Sequence, residues 1–94
     1  MHLEKAKKRI AKQVQKGDRG YPRISLEYFG VTKELATEVV VTFLLDEGAE
    51  AQQEQFSSNT DVREDETIQS VLVKIIERAN AKSVIQADEI TLIE

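Results

Sequence analysis

The sequence has no cysteine, which excludes disulfide staples, thiolate nucleophiles and every cysteine-ligated metal or cluster. It has no tryptophan and one histidine, His2, at a position expected to fray. A catalytic triad needs a base held rigidly against its nucleophile, so His2 is a poor base. The four glycines, Gly17, Gly20, Gly30 and Gly48, are scattered and form no phosphate-cradling loop. None of the serines (Ser25, Ser57, Ser58, Ser70, Ser83) stands in a Gly-x-Ser-x-Gly elbow. Long hydrophobic runs are missing too. Val39 to Leu45 is interrupted by Thr42 and falls far short of the ~18 apolar residues of a membrane span. The opening Met-His-Leu-Glu-Lys-Ala-Lys-Lys-Arg brings charges before any secretory apolar segment forms. A soluble cytoplasmic protein without a membrane partner is the expectation.

What is present suffices for one core. The chain has 94 residues, 40% of them hydrophobic and 32% charged, which is ordinary for a globular chain and gives a single domain over 1–94. The net charge of −4 conceals an asymmetry. Residues 1–23 hold eight bases and two acids; the remainder holds five bases and fifteen acids. Such a map concerns association, not fold. It implies a basic segment lying on an acidic body, or a basic face kept for an anionic partner.

The pattern predicts a basic helix over 3–16, with a sheet and a second helix over 21–94. Leu3, Ala6, Ile10 and Val14 recur at helical spacing and make one apolar stripe, with Lys5, Lys8, Arg9, Lys12 and Lys16 nearly opposite. Gly17 suits the left-handed position that ends a helix. Pro22 opens a strand in which Ile24, Leu26 and Tyr28 alternate with polar residues, and Gly30 closes it. Residues 31–36 read equally as helix or loop. The β-branched and aromatic residues of 37–46 favour a strand, apolar on both faces and therefore central. Gly48 fits a hairpin turn, and the polar stretch 50–57, with Phe56 its one large apolar group, reads as an edge strand.

The strongest helical pattern follows: Ile68, Val71, Leu72, Ile75, Ile76 and Ala79 share one face. Asp61, Glu64, Asp65 and Glu66 crowd its start, where the macrodipole favours negative charge. Asn80 suits a left-handed cap, and Val73, about 140° from the centre of the stripe, is expected to be exposed. Residues 82–88 read as irregular, and Ile90 and Leu92 as a last short strand. The predicted core is Phe43, Leu45, Ile68, Leu72, Ile75 and Ile76, joined by Ile24, Leu26, Ile10 and Val14. The fold expected is small α+β, in the order α-β-β-β-α-β, an antiparallel sheet with helices packed on one face.

Over residues 3–80 the order α-β-β-β-α resembles that of double-stranded-RNA-binding domains, in element order alone. Those domains grip phosphates with a basic cluster at the start of their second helix. Here that stretch is Arg63-Glu64-Asp65-Glu66, dominated by acids that repel phosphate. The resemblance implies an architecture, and neither RNA binding nor site residues are carried over.

The acids of 61–66 lack the glycine and the Asp-x-Asp spacing of a calcium loop, so no metal and no cofactor are expected. Nothing pairs two carboxylates in a cleft, and the protein reads as not an enzyme. A protein-interaction or self-associating module, a homodimer included, remains as the functional expectation. Nucleic-acid binding is the alternative. Its candidate surface is Lys5, Lys8, Arg9, Lys12 and Lys16, which no aromatic interleaves to stack on bases.

Overall fold

Alternation in Arg23–Gly30 places Ile24, Leu26 and Tyr28 on one side, all buried, and Arg23, Ser25 and Glu27 on the other. This strand, β1, is the axis of the computed structural model, which describes residues 2–93. Helix α1 (Leu3–Gln15) precedes it. Strands β2 (Glu38–Leu44) and β3 (Gln52–Ser57), a 3-10 turn (Val62–Glu64), helix α2 (Glu66–Ala79) and strand β4 (Ser83–Leu92) follow. The four strands lie in the order β3-β2-β1-β4. The two hairpin pairings are antiparallel, with Leu26 opposite Val41 and Val41 opposite Glu54.

The sheet is mixed, not wholly antiparallel as expected. β4 runs parallel to β1 because α2 returns the chain across the sheet to the far edge. Residues 82–88 are also not irregular: Ser83 to Gln86 already pair with β1. The register then shifts, so that Leu26 faces Gln86 while Tyr28 faces Ile90. The bulge takes up Ala87, Asp88 and Glu89, breaks the alternation that sequence reading relied on, and returns Ile90 to the inner face.

Both helices pack on the inner face and against each other. α1 buries Ala6 and Ile10; α2 buries Ile68, Leu72, Val73 and Ile76. Val73 is 3% exposed, contrary to expectation, because α2 has two neighbours, the sheet beneath and α1 beside it, and so needs a wider apolar arc than one stripe supplies. Leu45 is 59% exposed rather than part of the core. β2 ends at Leu44, and Leu45 enters the turn. Val14, Phe43 and Ile75 pack at the margin of the core, half-buried.

Residues 31–36 are neither helix nor strand; they turn through an isolated bridge between Thr32 and Leu35. The turn folds back so closely that a Cβ on Gly30 would strike the Leu35 carbonyl oxygen, which explains glycine there. Asn80 takes the left-handed cap (φ 51°), and its N–H donates to the Glu77 and Ile76 carbonyls. Of the acids before α2, Asp65 caps the helix by accepting from Ile68 N–H at 2.9 Å. Asp61 caps the 3-10 turn and grips Arg63.

The start of β4 is clasped to the loop after α1. Ser83, fully buried, donates through Oγ to the Gly20 carbonyl at 2.7 Å and accepts from Arg19 N–H at 2.7 Å. Asp18 accepts from Gly20 N–H and from Arg23, and these bonds hold its carboxyl below the usual range.

Candidate functional site

Three surfaces of the molecule are candidate sites, the basic face of α1 being the first. With Ala6 and Ile10 turned inward, Lys5, Lys8, Arg9, Lys12 and Lys16 are all exposed. Lys5, Lys8, Arg9 and Lys12 border a shallow depression on the outer side of α1, beside His2 and Glu4. Lys16 stands away from it, at the groove between α1 and α2, where Arg9 and Lys12 face Val73 and Glu77. Arg9 pairs with Glu77 of α2 at 3.2 Å. Lys7, outside the nominated set, pairs with Glu64 at 2.8 Å. These two surface pairs tie the basic helix to the acidic body, each worth ~0–1 kcal/mol. Lys5, Lys8, Lys12 and Lys16 have no carboxylate partner among the described residues.

The second surface is a cleft of about 670 Å³ between α1, the 3-10 turn and the β4 bulge. Its floor holds Tyr28, whose hydroxyl donates to Gln86 Oε1, and buried Gln69, which donates to the Val62 carbonyl at 3.0 Å. Burial pushes the Tyr28 phenol up to about 12 against the pull of nearby Arg63, so it stays neutral in ordinary buffers. Arg63 is engaged by both carboxylate oxygens of Asp61, at 2.9 and 2.6 Å. Hydrogen bonds from Arg63 hold Asp61 below the usual carboxylate range. No group of three or more histidine and carboxylate side chains among the described residues is placed to hold a metal ion. The cleft offers hydrogen-bonding groups on its floor, in Tyr28 and Gln69. Sequence reading missed it because Tyr28 registers there only as one more inward residue of an alternating row.

The third surface is the free margin at β3. Backbone bonds run in alternation across a sheet, so pairings at one edge fix which groups are free at the other. The Pro22 and Gly30 carbonyls accept from Lys82 and Ile93, which turns the even-numbered backbone of β1 toward β4 and the odd-numbered toward β2. Carried through the registers, Val39, Val41 and Phe43 bond toward β3, and Phe56, Glu54 and Gln52 answer them. The bond from Ser58 N–H to the Thr37 carbonyl, 2.9 Å, continues the same row. The N–H and C=O groups of Gln53, Gln55 and Ser57 therefore point away from the sheet.

Edges are normally guarded by charge, proline, bulges or covering elements. β4 is guarded: its bulge carries Asp88 and Glu89, and α1 packs against it. β3 pairs with β2 without a register shift, contains no proline and carries one charge, Glu54. Its side chains are also tied in place. Gln53 donates to Thr42 Oγ1 at 3.1 Å and Gln55 to Glu38 Oε2 at 2.8 Å, while Phe56 packs against the core. The result is a strand whose side chains are tied to β2 and whose outward backbone groups have no partner among the described residues. No family model, no curated protein and no solved structure matches this chain, so these surfaces stand on their own geometry.

Proposed function

We propose that this chain is a non-catalytic protein-interaction module of the cytoplasm that acts by strand addition, accepting an extended segment of its partner along β3. One observation carries the reading: the backbone groups of Gln53, Gln55 and Ser57 face outward from a strand without proline, bulge or repeated charge. Main-chain bonds supply affinity in this mode, and alternate side chains supply selectivity. The non-catalytic part is supported by the cleft, whose Tyr28 is held neutral and whose Arg63 and Glu64 are engaged by Asp61 and Lys7.

The test is native co-purification with the wild-type chain and with Gln55→Pro. Proline there removes an outward N–H that the fold does not use, which edge strands tolerate. Partners should be lost from a variant whose circular dichroism is unchanged. Identical partner sets for the two proteins exclude the β3 edge.

A second reading is favoured by the lysines without carboxylate partners on α1. They would meet an anionic macromolecule, nucleic acid included, with an affinity that falls steeply as salt rises. Titration of labelled duplex and single-stranded oligonucleotides decides it, and no binding at low salt retires it.

A further inference from the structure

Resting on the strand-addition reading, we infer that the segment β3 accepts is β3 of a second copy, paired antiparallel about a two-fold axis at Gln55, so that the two sheets become one. The alternation of backbone groups selects the register. Gln53, Gln55 and Ser57 carry the outward groups, so only registers that oppose these residues to each other form bonds. Every register that sets one of them against Gln52, Glu54 or Phe56 fails, because those groups are spent on β2. This leaves arrangements in which the axis stands perpendicular to the sheet, with the helices of both copies on the same face.

Among these, centring on Glu54 sets two carboxylates directly opposite in a close, non-hydrogen-bonded pair, which is destabilising. Centring on Phe56 pushes Gln53 against Asn59 of the other copy, where the chain has already left the strand and bends. Centring on Gln55 sets Gln53 against Ser57 of the other copy and Gln55 against its own counterpart. Every outward group of the strand then finds a partner. Glu54 falls opposite Phe56 of the other copy, so the one charge on the strand is kept from its twin. The absence of edge-guarding devices on β3, beside a well-guarded β4, fits an edge that is covered in the assembled protein.

Each copy carries a net charge of −4, so the copies repel at long range and moderate salt should strengthen the pair. A basic heterologous partner would give the opposite salt response.

The test uses the full chain. Light scattering over a concentration series should show a monomer–dimer equilibrium that tightens from low to moderate salt. Gln55→Pro should weaken it about tenfold or more. Amide hydrogen exchange read by NMR should show protection rising with concentration at Gln53, Gln55 and Ser57, and constant at Gln52, Glu54 and Phe56. Because the chain has no cysteine, a single Gln55→Cys variant treated with a short bifunctional thiol reagent should cross-link to itself faster than Glu54→Cys. Cross-linking fastest at Glu54→Cys, or protection confined to another strand, overturns the register. A monomer at every concentration and salt overturns the second copy as occupant. The strand-addition reading then stands or falls separately, on the co-purification with Gln55→Pro.

Discussion

Proline scanning of β3 tests the inference that consecutive residues of this strand differ in what their backbone does. Glu54 N–H is directed at the carbonyl of Val41, a residue 3% exposed, whereas Gln55 N–H points out of the sheet. Glu54→Pro removes one ladder bond, worth ~0.5–1.5 kcal/mol net, and strands a buried acceptor at about 1–3 kcal/mol. The combined cost is about 2–4 kcal/mol. In a domain of this size that lowers Tm by roughly 10–30 °C, at about 4–8 °C per kcal/mol. Gln55→Pro leaves every β2–β3 backbone bond intact, loses only the exposed side-chain bond to Glu38 and restricts the unfolded chain, so its effect should stay within ~1 kcal/mol. Glu54→Ala and Gln55→Ala control for the lost side chains, which on Gln55 includes the bond to Glu38. Thermal unfolding followed by far-ultraviolet circular dichroism, at protein concentrations low enough to avoid association, supplies the readout. Equal losses at the two positions, or a larger one at Gln55, would refute the assignment of outward groups and the dimer register built on it.

Other perturbations reach the rest of the fold. Ser83→Ala should destabilise by about 1–3 kcal/mol, because the Arg19 N–H and Gly20 carbonyl lose a buried partner; urea unfolding with an unchanged m-value checks it. Gly30→Ala should destabilise by about 1–3 kcal/mol or more, since its methyl meets the Leu35 carbonyl, a rigid backbone group; a Tm equal to wild type refutes that close approach. Tyr28 has its phenol raised to about 12, so above its reference value of 10 the unfolded chain releases this proton while the folded chain retains it. Stability from this group is full below pH 10 and drains between about 10 and 12, and Tyr28→Phe should flatten that limb of a stability–pH profile. Asp61 works in the other direction: its folded carboxyl is held below the reference 3.8, so its contribution is present above that pH and is lost as acid protonates it. Asp61→Asn should remove that acid-sensitive part of the profile.

The sequence alone determined the features that depend on a few adjacent residues. Periodicity set α1, α2, β1 and β2, because one buried stripe or one buried row is a local property of side-chain spacing. The Asn80 cap and the Gly17 and Gly48 turns were legible because left-handed backbone restricts the residue type wherever it occurs. Tertiary structure decided whatever depends on the neighbour across the gap. Val73 is buried because α1 lies beside α2, and Leu45 is exposed because β2 ends one residue before it. The parallel pairing of β4 and its bulge depend on where α2 delivers the chain, and no alternation in residues 82–88 announces them. The candidate edge shows the division within a single strand. Its polarity is written in Gln52–Ser57, but which of its amides face outward follows only from hydrogen bonds traced from Pro22, Gly30 and Thr37 through neighbouring strands. Side-chain pattern is local, whereas the direction of a free backbone bond is set by the whole sheet.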